Sequence, residues 1–187
     1  MAGKSKYKEF QQEFLNAHNA YRALHGAPPL TYNKELCDEA QKWADECLKT
    51  RTLGHSDTKD GENVYYTSGK DAVDEWYSEI KDYNFKTSGF QSGTGHFTQV
   101  VWKESKELGL GMATDGRTAF VVGQYRPPGN FTNPGQFEAN VLPKGNLRTL
   151  IVFIFLFKLQ TLLCSFFLNR RLVVVYGHSR LIIGASL

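Results

Sequence analysis

The spacing of apolar residues changes once along this chain, from a helical period to a period of two. From Lys8 to Leu24 the apolar side chains recur at helical spacing, at Phe10, Phe14, Ala17, Tyr21 and Leu24. A second helix is predicted after an N-cap at Asn33, with its apolar stripe at Leu36, Ala40, Trp43, Ala44, Cys47 and Leu48. The Gly-, Ser-, Asp- and Thr-rich stretch 54–69 is predicted to be a loop, and a third helix is predicted from Asp71 to Asp82.

The pattern that follows is typical of strands. Residues 108–112 alternate between apolar and other side chains, and Ala119 to Tyr125 is predicted to be the return strand. The dipeptide Asp115-Gly116 between them is a hairpin signal. Helices followed by a hairpin favour the α+β class, in which helices pack on an antiparallel sheet. A chain of 187 residues is long enough for one such domain with its own core.

Charge is divided unevenly along the chain. Residues 1–146 hold 17 Lys and Arg and all 19 Asp and Glu, a net charge of −2, whereas residues 147–187 hold five basic residues and no acid. Because the basic residues of the body are interleaved with acids, we expect a solvated surface and no nucleic-acid partner. The start, MAGKSKYKEF, lacks the apolar segment of a secretory signal, and Cys37 and Cys47 lie too far apart on one helix for a disulfide. These features favour a reducing, cytoplasmic setting.

Composition changes at about Asn146, which divides the chain into a body, residues 1–146, and an apolar and basic tail, residues 147–187. The segment LIVFIFLFKLQTLLCSFFL, from Leu150 to Leu168, is 19 residues long and contains 15 apolar residues. Its length suits a membrane span, but Lys158 at its centre costs roughly 2.5–3.5 kcal/mol on insertion scales. Three interpretations stay open: a tail anchor, a buried segment and a non-native extension. We favour the third, because nothing in the body lacks such a segment.

His96 opens an apolar run in the stretch GTGHFTQVVW, and three other side chains are candidates to meet it. His55 begins the predicted loop, Glu62 lies in the same loop, and Glu79 lies nearer than Glu75 to the apolar face of the third helix. Two imidazoles and two carboxylates together carry a charge of about −2 at neutral pH. Such a group suits a divalent cation, and His and Glu ligands favour zinc or a similar metal. The alternative is that each residue is structural, since the spacing resembles no HExxH motif.

Two longer stretches resemble the signatures of a known family. GHFTQVVWKES, residues 95–105, is similar to the signature of the CAP superfamily (cysteine-rich secretory proteins, antigen 5 and pathogenesis-related proteins), and FVVGQYRPPGNF, residues 120–131, resembles its second signature. HNAYRALHGAPPL and GENVYY match as well, so the resemblance covers about residues 7–144. WYSEIKDYNF, SGTGHFTQVVWK and EANVLPK look like the Golgi-associated plant pathogenesis-related branch.

The resemblance implies a three-layer α-β-α sandwich with a central antiparallel sheet. It also implies a cleft of two His and two Glu, which map by motif onto His55, Glu62, Glu79 and His96. Such a cleft can bind a divalent metal, for which zinc is the first candidate. The branch is further suspected of contributing a serine across a dimer beside His55 and Glu62, and Ser68 stands at that position.

Three features depart from the family pattern. Gly123 stands where the second signature normally has a cysteine, so the chain lacks that disulfide of the secreted members. The branch is typically N-myristoylated at a glycine directly after the initiator Met, but here Ala2 precedes Gly3 and the pattern is not met. The branch is usually basic, whereas this body is acidic, which weakens the expectation that it binds anionic lipids.

Three functions remain, in order of preference. The resemblance implies first a non-enzymatic, homodimeric scaffold on the cytosolic face of Golgi-type membranes, which binds lipids or sterols and partner proteins. The second is a partner-binding module in which the four side chains are structural. The third is a hydrolase, in which a bound metal activates water or Ser68 acts beside His55 and Glu62.

Overall fold

The structure, a computed structural model, describes residues 2–67 and 71–145. Its helices are α1 (Ala2–Leu24), α2 (Lys34–Thr50), α3 (Ala72–Ser78), α4 (Gly95–Val101) and α5 (Gln136–Asn140), and its strands are β1 (Thr31–Tyr32), β2 (Gly61–Thr67), β3 (Glu107–Thr114) and β4 (Ala119–Arg126). A 3₁₀ turn, Glu79–Asp82, directly follows α3.

The described fold lies within one unit of the chain, Met1–Lys144, and the other unit is Gly145–Leu187. Ser68 and the tail lie outside the described residues, so the domain boundary at 146 and the three interpretations of the tail stay predictions. Within the described ranges, no helix combines the length and the apolar content needed to cross a bilayer.

The four strands lie in the order β1-β3-β4-β2. The predicted hairpin of β3 and β4 is confirmed, and β2 also pairs antiparallel with β4. The expected antiparallel sheet is correct for these two pairs, but β1 pairs with β3 in parallel. β1 is two residues long, and its place is fixed by the N–H groups of Thr31 and Asn33, which donate to the carbonyls of Lys106 and Leu108.

Helix α2 covers one face of the sheet at short range. The apolar side chains between them are Ala40, Ala44, Val64, Ala113 and Val122. Two glycines of β3 permit this approach, because a Cβ at Gly109 would overlap the backbone of Leu36 and one at Gly111 would overlap the backbone of Ala40. The predicted N-cap of α2 is confirmed, since the Asn33 side chain accepts from the N–H groups of Glu35 and Leu36.

The opposite face carries the larger core, under α1, α3 and α4. Phe14, Trp76 and Phe97 from these helices meet Leu110 and Tyr125 of the sheet. The helices on the two faces and the sheet between them form three layers, which confirms the predicted α+β sandwich.

Three short elements differ from the sequence prediction. Residues 61–67, predicted to be loop, form β2, which pairs over its full length with β4 from Gly61 opposite Tyr125 to Thr67 opposite Ala119. Residues 95–101 form α4, where the sequence indicated only a buried segment. The predicted third helix is also shorter, because Asp71 is its N-cap and regular helix ends at Ser78.

Candidate functional site: two histidine–glutamate pairs

His96 is held by Glu79 at the point where α4 begins. Its Nδ1 donates to Glu79 Oε1 at 2.7 Å, and its backbone N–H donates to Glu79 Oε2 at 3.0 Å. The N–H of Phe97 reaches the same Oε2 at 3.1 Å. One carboxylate therefore orients the ring and also satisfies two amide groups of the first turn of the helix, which lack partners within the helix.

A buried network supports His96 from below. The Trp76 ring lies nearly parallel to the imidazole, with centroids 6.3 Å apart and planes at 11°. The Asn63 side chain donates both to the His96 carbonyl, at 3.1 Å, and to the Tyr125 hydroxyl, at 3.2 Å. That hydroxyl lies 2.8 Å from Nε2 of His18, whose Nδ1 faces the Phe14 carbonyl at 2.8 Å. Because only an N–H can donate to that carbonyl, Tyr125 donates to Nε2 of His18.

His55 forms the second pair, with Glu62 of β2. The Glu62 side chain is 3% exposed, and its Oε1 accepts from His55 Nδ1 at 3.0 Å and from the Ser56 N–H at 2.9 Å. Its Oε2 accepts from the Ser56 hydroxyl at 2.6 Å and from Gln124 Nε2 at 3.1 Å. The His55 side chain is 65% exposed, so a buried carboxylate orients an accessible ring.

The contact between His55 and Glu62 stabilises the charged form of each side chain. The hydrogen bond to Glu62 raises the pKa of His55 above its ordinary value, although partial burial acts in the opposite direction. Burial alone would raise the pKa of Glu62, but the hydrogen bonds from His55, Ser56 and Gln124 outweigh it and lower that pKa. Glu62 is therefore ionised at neutral pH, and His55 stays protonated to a higher pH than a free histidine does.

The four predicted side chains thus lie in two pairs, His55 with Glu62 and His96 with Glu79. In each pair Nδ1 is engaged by the carboxylate, and Nε2 has no partner among the described residues. In the part of the chain that the structure describes, no three His, Cys, Asp or Glu side chains are grouped to hold a metal ion. Ser68, the predicted serine of the dimeric arrangement, lies outside the described residues.

Sequence reasoning missed the residues that support the pairs. Ser56 directly follows His55, so its proximity to the loop histidine was visible in the sequence. Gln124 and Asn63 reach the site through strand register, because Glu62 lies opposite Gln124 and Asn63 opposite Gly123. Because residues 61–67 were predicted to be a loop, no local pattern indicated how β2 and β4 would align.

The structure is thus an α-β-α sandwich in which two carboxylates, Glu62 and Glu79, each orient one imidazole. Residues 15–125 match the sequence model of the cysteine-rich secretory protein family, CAP, and the chain belongs to this family. Proteins of the family are generally non-enzymatic, and in general they bind lipids and proteins. The family cysteine absent at position 123 is replaced by a glycine whose added Cβ would lie 3.3 Å from the Trp76 ring.

Several known proteins are similar to the chain. Golgi-associated plant pathogenesis-related protein 1 of Homo sapiens is 50% identical over an alignment of 151 residues, and the match covers 75% of this chain and 97% of that protein. Protein PRY2 of Saccharomyces cerevisiae is 38% identical over an alignment of 141 residues that covers 72% of this chain, but the chain spans only 42% of that longer protein. The crystal structure of NaASP2 with Zn2+ has a TM-score of 0.57 at 26% identity and covers 72% of this chain and 85% of that one.

Proposed function

We propose that the chain is a non-enzymatic scaffold that associates with membrane lipids or sterols and with partner proteins, on the cytosolic face of Golgi-type membranes and as a homodimer. The observation that carries the proposal is the 50% identity to a protein named as Golgi-associated, over 97% of that protein's length. The match leaves out no long segment of that relative. We therefore expect this domain to share the properties of the relative's domain.

Exposed aromatic side chains supply a surface for a membrane interface. Phe90 is 61% exposed and Phe131 is 45% exposed. A Cβ at Gly95 would lie 4.0 Å from the Phe90 ring, and Asn130, next to Phe131, donates from its side chain to the Gly95 carbonyl at 2.9 Å. The Phe90 ring and Asn130, the residue before Phe131, therefore lie near the start of α4. Exposed Phe side chains can enter the apolar boundary of a bilayer when a protein surface lies on it.

Vesicle flotation of the full-length chain tests the membrane role. We expect the protein to float with vesicles that contain anionic lipid and sterol, and a Phe90→Ser/Phe131→Ser variant to float less. Tyr66→Ser, which removes an exposed aromatic side chain elsewhere, is the matched control and should float like the wild type. Protein that stays in the bottom fraction at low salt with every vesicle composition would end the proposal.

A divalent metal, with zinc as first candidate, completes the proposal. The residues that would hold it are His55 and His96, through their Nε2 atoms. Both carboxylates are already occupied, since Glu62 accepts four hydrogen bonds and Glu79 accepts three. They are placed to orient the ligands, as carboxylates behind zinc-bound histidines do. Bound metal would link the loop of His55 to α4 and so stabilise the fold.

Calorimetric titration of the full-length chain with zinc tests this part. We expect a saturable heat in the wild type, and its loss in His55→Ala/His96→Ala. His178→Ala, in the tail, controls for non-specific binding by histidine and should leave the heat unchanged. Because zinc needs neutral imidazole and the pKa of His55 is raised, affinity should increase as pH rises through that raised pKa. Equal heats in wild type and double variant would leave both pairs as structural contacts.

A further inference from the structure

A cavity of about 470 Å³ lies beside the pair of His55 and Glu62. Its walls are Glu39 and Trp43 of α2 on one side and the loop of residues 56–60 on the other, and Gln124 and Arg126 of β4 also line it. Ligand pockets in proteins commonly have volumes of about 300–1,000 Å³. Neither histidine of the two pairs lines this cavity.

Arg126 lines the cavity, and its positive charge is paired with two carboxylates. Its Nε and Nη2 donate to the two oxygens of Asp60, at 2.9 and 2.7 Å, and its Nη1 donates to Glu35 at 2.9 Å. The guanidinium therefore joins α2 to the loop and is balanced by two carboxylates. It leaves no net positive charge there to attract an anion.

Gln124 contributes a buried acceptor without a donor. The residue is 2% exposed, and its Nε2 donates to Glu62 Oε2 at 3.1 Å. This contact fixes the orientation of the amide, because the reverse orientation would set a carbonyl oxygen against a carboxylate oxygen. Oε1 is buried and has no hydrogen-bond partner among the described groups. A buried carbonyl without a donor is unfavourable, so a hydrogen bond donated to Gln124 Oε1 would be stabilising.

The remaining fixed groups of the cavity favour a cation. Within the described residues, neither Glu39 nor Asp57 forms an ion pair or a side-chain hydrogen bond, and Glu39 is half-buried. The Trp43 ring is held in place by its Nε1, which donates to the Gly54 carbonyl at 2.9 Å. Lys42 and Lys59 also line the cavity, but both are exposed and can extend into solvent on their flexible stems.

We propose that this cavity binds a primary ammonium group on an apolar stem, such as an alkylamine or the lysine side chain of a peptide carries. An ammonium has three donors and no acceptor, which matches Gln124 Oε1 and the Glu39 carboxylate. A tryptophan face is the strongest aromatic partner of a cation, and it also packs against a methylene stem. The proposal depends neither on a bound metal nor on membrane association.

Nuclear magnetic resonance of the ¹⁵N-labelled full-length chain provides the test. The chain has three tryptophans, so Trp43 gives one of three indole N–H signals, and those of the buried Trp76 and Trp102 report on the fold. The probes are pentylamine, N-acetyl-lysine methylamide to represent a peptide, and pentanol as the neutral match. We expect saturable shifts of the Trp43 indole and the Gln124 side-chain amide with one or both amines, at millimolar concentration, and no such saturation with pentanol.

Two variants make the assignment specific. Glu39→Gln removes one charged acceptor and should weaken amine binding roughly tenfold. Asp38→Asn makes the same change of charge on the adjacent residue, which pairs with Lys34 on the exposed side of α2, and should leave binding unchanged. Unshifted Trp76 and Trp102 signals would show that both variants fold. Equal shifts with pentylamine and pentanol, no saturation up to about 100 mM, or unaltered binding in Glu39→Gln would each overturn the proposal.

Discussion

Arg22 is a fully buried cation, and none of its hydrogen bonds goes to a carboxylate. Its Nε donates to the Pro28 carbonyl at 2.8 Å, and its Nη1 and Nη2 donate to the carbonyls of Val100, Trp102 and Ser105 at 2.7–3.1 Å. Burial lowers its pKa to about 10, so it stays charged at neutral pH. One side chain of α1 thus satisfies the carbonyls at which α4 ends.

Replacing this residue should destabilise the whole domain. Arg22→Leu removes a donor from four carbonyls in the core, of which that of Trp102 keeps a second donor in the Ser105 N–H, and we expect the free energy of unfolding to fall by about 3–5 kcal/mol. Urea unfolding followed by tryptophan fluorescence measures the change. Arg117→Leu, on the exposed hairpin turn, is the matched control and should change stability by no more than about 0.5 kcal/mol. Similar losses in the two variants would contradict the structural role assigned to Arg22.

Some individual residues of the site can be predicted from the sequence. Glu79 could be chosen over Glu75 because a helical angle is a local property, and the structure places Glu79 against His96. The roles of Gln124 and Arg22 could not be predicted, because each depends on contacts between residues more than 60 positions apart. A buried arginine without an acid also contradicts the usual expectation for charged residues, and only the free carbonyls around it explain its position.

At the scale of the elements, α2 packs closely on β3, and two glycines of β3 permit that distance. Gly111 lies under Ala40, and Gly109 lies under Leu36, one turn earlier on α2. Two alanines of α2, Ala40 and Ala44, keep the helix side of the contact equally small. The close packing holds α2 where Glu39 and Trp43 can line the cavity beside His55 and Glu62.

Gly111→Ala should separate the two elements. The added methyl group would overlap the Ala40 backbone, so we expect a loss of at least about 2 kcal/mol in the free energy of unfolding. Gly54→Ala is the control, because nothing lies within 4 Å of a Cβ there, and its effect should be below about 1 kcal/mol. Thermal unfolding of both variants beside the wild type provides the measurement. A Gly111→Ala protein as stable as Gly54→Ala would show that α2 can move away without loss.

The elements that the sequence predicts are those that carry their own signals. α2 has a capping asparagine and a long apolar stripe, and β3 and β4 share a turn with a hairpin dipeptide. α4 has seven residues, and all from Phe97 to Val101 are buried, including the polar Thr98 and Gln99, so polar residues do not mark an exposed face from which a period could be read. β2 follows a polar loop and contains the buried polar residue Asn63, and its strand character comes from pairing with β4.

The three layers together keep two histidines away from water. His18 of α1 is fully buried, and His25 lies in the aromatic cluster around Tyr77, to whose hydroxyl its Nε2 is bonded at 2.9 Å. Burial lowers the pKa of His18 to about 3 and also lowers that of His25. Both rings are neutral in the folded protein at pH values where an unfolded histidine, with a pKa of about 6.5, begins to take up a proton. Acid therefore favours the unfolded chain.

Stability should fall as pH decreases from about 6.5 towards 3, because the unfolded state binds more protons in this window. The loss from His18 alone is on the order of a few kcal/mol. His55 acts with the opposite sign, because its raised pKa gives stability that is present at low pH and lost as pH rises through the raised value. That contribution is small, since the ring is mostly exposed. The free energy of unfolding of the full-length chain, measured in urea from pH 7 to pH 4, should therefore decrease with a slope dominated by the buried rings.

His18→Gln identifies the source of this slope. Glutamine does not titrate, so the variant should be less stable at pH 7 but should lose less stability on acidification than the wild type. His55→Gln is the control, and the acid loss should remain in it. If His18→Gln is too unstable at pH 7 to measure, His25→Gln provides the same comparison with a ring whose pKa is also lowered by burial. Parallel pH profiles for the wild type and both buried-histidine variants would show that these rings are protonated within the folded protein, contrary to the effect of burial.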